Sequence, residues 1–210
     1  MSSPVTVPSP AHKETHKDYE GAKLGMWLFL FTEILLFGGL FILYSAYRAR
    51  YPLEFHEGGQ HLNVVIGVGN TLILLTSSLT AALSIAAIQK GERRTSILCL
   101  ISTIVFGAWF LVNKYIEWSG EISHGLYPNS PVLLQRPKGD QIFFGLYYSM
   151  TGLHGLHVFA GITLLLIMLV LLLRGKISST DFNKLENSGL YWHLVDVIWI
   201  FLLPLFYLAA

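Results

Sequence analysis

The 210-residue chain is 53% hydrophobic and only 13% charged, against roughly 25% charge in a soluble domain. Its formal net charge of +1 excludes a basic nucleic-acid surface and an acidic tail. Its single cysteine, Cys99, excludes an intrachain disulfide and a thiolate metal cluster and reads as a small buried apolar residue.

In chain order, residues 1–23 come first, polar and carrying Pro4, Pro8 and Pro10. They lack the apolar core and small-residue cleavage site of a signal peptide, and predict a mobile tail leading into a short surface segment. Residues 24–210 read as one transmembrane domain. A crossing needs about 20 mostly apolar residues. Five segments qualify, at roughly Leu24–Tyr47, Asn63–Ile88, Ser96–Glu117, Gln141–Leu173 and Ser188–Ala209. Backbone groups in lipid must bond internally, and no segment alternates as a barrel strand would, so the fold class is an all-α, polytopic bundle of five transmembrane helices.

Lys and Arg set the direction. Lys13, Lys17, Lys23, Lys90, Arg93, Arg94, Arg174, Lys176 and Lys184 fall on one side; Arg48, Arg50, Arg136 and Lys138 fall on the other. That bias predicts an N-terminus inside, a C-terminus outside, and an external loop over residues 118–140. Glycines and the Ser/Thr/Ala run from Thr76 to Ala87 permit close helix approach.

Ionisable side chains inside the spans carry the functional signal. Glu33 lies in the first span, His154 and His157 in the fourth, His193 and Asp196 in the fifth. Each spacing of three places a pair on nearly one helix face. An ionised group at a helix centre costs roughly 2.5–3.5 kcal/mol on insertion scales, so Glu33 and Asp196 call for a partner, neutralisation or water. Glu33 has no sequence neighbour to pair with. His193 and Asp196 could form a hydrogen-bonded structural pair. Lys114 and Glu117 read as an intrahelical ion pair near the interface, with the lysine snorkelling.

Two histidines on one helix face cannot ligate opposite sides of a haem iron; histidines from different helices could, if His193 faced His154 or His157. A non-haem iron site wants paired carboxylates in Glu-x-x-His spacing. There is no phosphate loop, nucleophile elbow or zinc signature. The residues alone describe a polar constellation in a helical bundle, better suited to lipid or partner contacts than to chemistry. A proton-coupled carrier with Glu33 and the histidines as relay is the competing reading; it needs the first and fifth helices to touch.

Three segments carry a resemblance: GMWLFLFTEILLFGG (25–39), TGLHGLHVFAG (151–161) and YWHLVDVIWIFL (191–202). In this order and spacing they resemble signature segments of subunit III of haem–copper terminal oxidases, in its five-helix bacterial form. GNTLILLTSS (69–78) and KYIEWSGEI (114–122) add intermediate matches. The resemblance implies an accessory chain of a cytochrome c oxidase in the bacterial inner membrane. Haem and copper would lie in subunits I and II, with no redox centre or metal in this chain. It implies direct packing on subunit I, contact with subunit II and other oxidase subunits, and bound phospholipid. Glu33 falls on the family's membrane carboxylate, associated with carbodiimide modification. His154, His157, His193 and Asp196 fall on positions lining the bundle and its lipid-filled cleft. Support of proton uptake, oxygen access and protection from turnover-linked inactivation follow from the same resemblance. Quinol-oxidase subunits and a protein associated with nitric oxide reductase share the motifs; the form of YWHLVDVIWIFL favours the cytochrome c oxidase.

Overall fold

The computed structural model describes residues 19–208. The predicted tail lies outside the described residues over 1–18. Its last residues, 20–23, are exposed and already helical, since α1 begins at Tyr19 and runs to Arg50. Four further long helices follow, α3 (Val64–Gln89), α4 (Arg93–Ser123), α6 (Lys138–Leu173) and α7 (Asn183–Leu203), the last continuing into a π-helical turn, Pro204–Leu208. All five long helices are long and apolar enough to cross a membrane. The fold is the expected all-α bundle, and among the described residues only an isolated bridge between Ser178 and Asp181 departs from helix and loop.

Two short helices occupy connections that read as loops. Pro52–Gln60 forms α2, with proline in its first turn, where the missing N–H costs nothing. Phe55 of α2 is fully buried between the rings of Tyr44 and Phe143, at 5.3 and 5.4 Å. The connection between α4 and α6 is shorter than the predicted 118–140 loop, because α4 continues to Ser123 and α6 starts at Lys138. Residues 124–137 remain, pinned by buried Leu126 and Leu133 and by a single turn, α5 (Pro131–Leu134). The Ser130 hydroxyl caps α5 by accepting from the Leu133 amide at 3.0 Å.

Sharp ends keep the α3–α4 and α6–α7 turns short. Gly91 and Gly175 have φ of +79° and +69°, which glycine adopts without steric cost. The turns are tied together by Arg93, which donates to the terminal carbonyls of α6, Leu172 O at 2.8 and 3.1 Å and Leu173 O at 2.8 Å. A cation at a helix C-terminus complements the dipole.

The core sits where α7 crosses α3, α4 and α6. Trp192 of α7 fills the space left by Gly107 of α4 and Gly161 of α6, and donates its indole N–H to Ser77 Oγ of α3 at 2.9 Å. Small residues line the α3–α4 seam, where Ser84 Oγ donates to Ser96 O at 2.9 Å. Cys99 is half-buried rather than buried. α1 is the most peripheral span, with Leu28, Phe31, Leu35 and Ile42 turned outward.

Candidate functional site

Glu33, near the middle of the 32-residue α1, reaches across to His157 of α6: Oε2 lies 2.9 Å from Nε2. The other ring nitrogen, Nδ1, faces Leu153 O, one turn back along α6, at 2.8 Å. A carbonyl only accepts, so Nδ1 carries a hydrogen and a neutral ring has none on Nε2. Phe37 closes one side, its ring edge-on to the imidazole at 5.3 Å. Side-chain exposure is only 13% for Glu33 and 16% for His157, so the pair is an inter-helix clasp in an apolar setting. Glu33 has no partner along the sequence and finds one in space, on another helix.

His154 does not join that pair. A separation of three residues turns the side chain by about 60° around the helix, enough to send His154 to a different neighbour. It is fully buried, edge-on to Phe110 of α4 at 5.5 Å and beside Trp199 of α7 at 5.3 Å. Neither nitrogen has a hydrogen-bond partner among the described residues.

His193 and Asp196 are not bonded to each other. His193 Nδ1 lies 2.6 Å from Ser78 Oγ of α3. The same hydroxyl lies near the buried Asp196 carboxyl without completing a hydrogen bond to it. The two residues face α3 as neighbours on one serine. Glu33 pairs with His157 and not with His193, so the chain the carrier reading requires is not assembled by direct hydrogen bonds.

The densest polar centre is one that sequence reasoning took for an interfacial ion pair. Lys114 and Glu117 of α4 do pair, at 3.2 Å, but with side-chain exposures of 8% and 3% the lysine does not snorkel. Its ammonium donates to Tyr147 Oη of α6 at 3.1 Å and to Tyr207 Oη of the π-helical turn at 2.9 Å. It also stands over the Trp199 ring, 5.3 Å from the centroid. Glu117 Oε1 accepts from Tyr147 Oη at 2.6 Å and from Tyr207 Oη. Both charges are thereby satisfied inside the bundle, and three elements meet at one carboxylate. The signal that could have found it is Tyr207 after Pro204: a proline there disrupts the regular helix and redirects the last turn inward.

Among the described residues, no three His, Cys, Asp or Glu side chains converge as a metal site would require. The constellation does helix-to-helix work: Glu33–His157 joins α1 to α6, Ser78–His193 joins α3 to α7, and Lys114–Glu117 joins α4 to α6 and the C-terminal turn.

The family model described as cytochrome c oxidase subunit III matches residues 9–210. The cytochrome c oxidase subunit 3 of Thermostichus vulcanus is 33% identical over 100% of this chain and 97% of its own length. The cytochrome bo(3) ubiquinol oxidase subunit 3 of Pseudomonas aeruginosa is 26% identical over 95% of this chain and 90% of its own. The heme-copper oxidase subunit I+III of Aeropyrum pernix is 28% identical over 88% of this chain, a match covering 22% of that longer protein.

Proposed function

This chain belongs to the cytochrome c oxidase subunit III family, a multi-pass membrane family that spans cytochrome c and quinol oxidases, and from that premise we propose that it is the accessory, non-redox subunit of a respiratory haem–copper oxidase. It packs against subunit I and lies near subunit II. Those partners hold the haem and copper that reduce oxygen and couple the reaction to proton pumping. The fusion of subunits I and III in the Aeropyrum pernix relative supports the direct contact with subunit I. The chain sits in the bacterial inner membrane, N-terminus inside and C-terminus outside, on the Lys and Arg bias of its connections. The cytochrome c form is favoured over the quinol form by the α7 segment YWHLVDVIWIFL.

The observation that carries the reading is the Glu33–His157 clasp. Both ring nitrogens and one carboxylate oxygen are already engaged within the chain, which fits a group that fastens α1 and leaves metal chemistry to another subunit. Glu33, His154, His157, His193 and Asp196 act as bundle anchors, bordering bound phospholipid, and their proton-bearing groups support proton uptake by subunit I.

Glu33→Gln tests this in the assembled oxidase. The amide N–H can donate to the Nε2 that accepts in the neutral ring, so subunit III stays attached and the haem spectrum is unchanged. The number of turnovers completed before inactivation falls several-fold, measured by oxygen consumption to exhaustion. Loss of the haem spectrum in this variant would contradict the proposal.

A further inference from the structure

Where α4 ends against its connection to α6, a recess of 300 Å³ opens between His61, Glu121, His124 and Arg136, with Leu126 as its apolar wall. Arg136 spans the rim, its guanidinium 3.3 Å from His61 Nε2 and 3.7 Å from Asp140 Oδ2. At Glu121 and one turn back along α4, three polar atoms are buried without a hydrogen-bond partner among the described residues: Glu121 Oε2, Trp118 Nε1 and Tyr148 Oη. They form one group. Trp118 and Glu121 are three residues apart on α4 and lie on nearly one face. The Trp118 ring packs on that of Tyr148 of α6, 5.1 Å between centroids, and the Glu121 carboxylate acts electrostatically on the same tyrosine.

We propose that the recess is the mouth of a water-filled crevice that runs past Glu121 and ends at Trp118 and Tyr148, and that Glu121 exchanges its proton there with the solution on one face of the membrane only. The inference goes beyond the function proposed above and holds for a cytochrome c or a quinol oxidase alike. Buried polar groups are hydrogen-bonded almost without exception, and the hydrocarbon around the helices supplies no partner. An indole N–H only donates, a carboxylate oxygen accepts, and a phenol does both. Water serves all three at once. The recess that Glu121 lines is far above the roughly 10–15 Å³ that one water needs. The crevice is closed at depth, because Tyr147, Tyr207 and Trp199 are buried beyond it. The charged and titratable groups around Glu121 are His124, Glu117 and Lys114 of its own helix, Tyr148 of α6, and His61 and Arg136 of the recess. In the exchange the carboxylate takes a proton from crevice water, becomes the neutral acid, and returns it the same way. Water thereby comes within one turn, about 6 Å along the helix, of the Glu117 carboxylate that fastens α4 to α6 and to the C-terminal turn.

The unaltered oxidase supplies the first test. Right-side-out and inverted membrane vesicles are treated with a cationic, water-soluble carbodiimide and taurine, neither of which crosses lipid. The protonated carboxyl adds to the carbodiimide to give an O-acylisourea. The taurine amine then displaces the urea and leaves an amide, which is mapped by the mass of the α4 peptides. The expected result is a taurine amide on Glu121 in one vesicle orientation only, the same one in which the exposed Glu57 of α2 is modified. A second test uses Cys99→Ser as background and probes Tyr148→Cys with an anionic, impermeant methanethiosulfonate. The reagent attacks the thiolate, which forms where water reaches. Tyr148→Cys is expected to react several-fold faster than Ile116→Cys, whose side chain faces out from α4, and from the face on which Glu121 is modified. Adding Glu121→Leu, which makes that wall of the crevice apolar, lowers the rate several-fold. An unmodified Glu121 beside a modified Glu57 overturns the proposal. So does Tyr148→Cys that reacts no faster than Ile116→Cys, or modification of Glu121 from both faces. If a cysteine variant fails to assemble, the carbodiimide result decides.

Discussion

Glu117→Leu is expected to release subunit III from the oxidase and to destabilise the chain more than any other single change in its polar residues. The substitution leaves the Lys114 ammonium buried without its paired carboxylate and two tyrosine hydroxyls without their shared acceptor. Breaking one side of a buried pair costs about 3–5 kcal/mol, and each orphaned hydroxyl adds about 1–3 kcal/mol. Removing both charges is milder, since a buried pair exchanged for apolar residues of similar volume is often near neutral. Lys114→Met/Glu117→Leu should therefore recover part of the loss, and adding Tyr147→Phe and Tyr207→Phe should recover most of it. Thermal unfolding in detergent, followed by circular dichroism, checks the order of the three variants. Equal stability of the single and quadruple variants would show that the cluster does not hold charge in the way its geometry describes.

A second large effect is expected at Gly107. A Cβ there would stand 2.5 Å from Trp192 Cη2 and 3.2 Å from Ile162 Cγ1. Trp192 cannot swing away without giving up its hydrogen bond to Ser77 and its contact with Gly161. Overpacking a core typically costs about 1–3 kcal/mol, and Gly107→Leu, which forces apart α4, α6 and α7 at their crossing, should fall at or above the top of that range. Gly38→Leu in α1, where an added Cβ meets nothing within 4 Å, is the useful comparison. Both put leucine on a glycine of a membrane helix, yet only the Gly107 variant should lower the unfolding temperature and the yield of assembled complex. Equal loss in both would mean that helix-backbone effects, not packing against Trp192, decide the outcome.

What could be read in advance follows from the physics of each feature. The five spans were legible because lipid demands long apolar helices, and that demand is written residue by residue. Their ends were less so: α4 continues past Glu117 to Ser123 because polar residues can extend a helix beyond the hydrocarbon. α2 was missed although Pro52 is a helix-start signal, since its stability comes from Phe55 settling against Tyr44 and Phe143. Glu33 was legible as an anomaly, but its partner lies 124 positions away, and no local pattern joins them. The two histidines were legible as a pair by spacing and are separated by the helical rotation between them. Lys114 and Glu117 were legible as a pair, but their burial was not, because it depends on Tyr147 and Tyr207, two ordinary aromatic residues until the fold turns their hydroxyls onto one carboxylate.

The metal content and visible spectrum of subunit III, stripped from the purified oxidase and compared with the remaining complex, test its non-redox role most directly. We expect iron, copper and the haem bands to stay with the remainder and the separated chain to show only aromatic absorption. Stoichiometric haem or copper on the separated chain, bound through His154, His157 or His193, would contradict it.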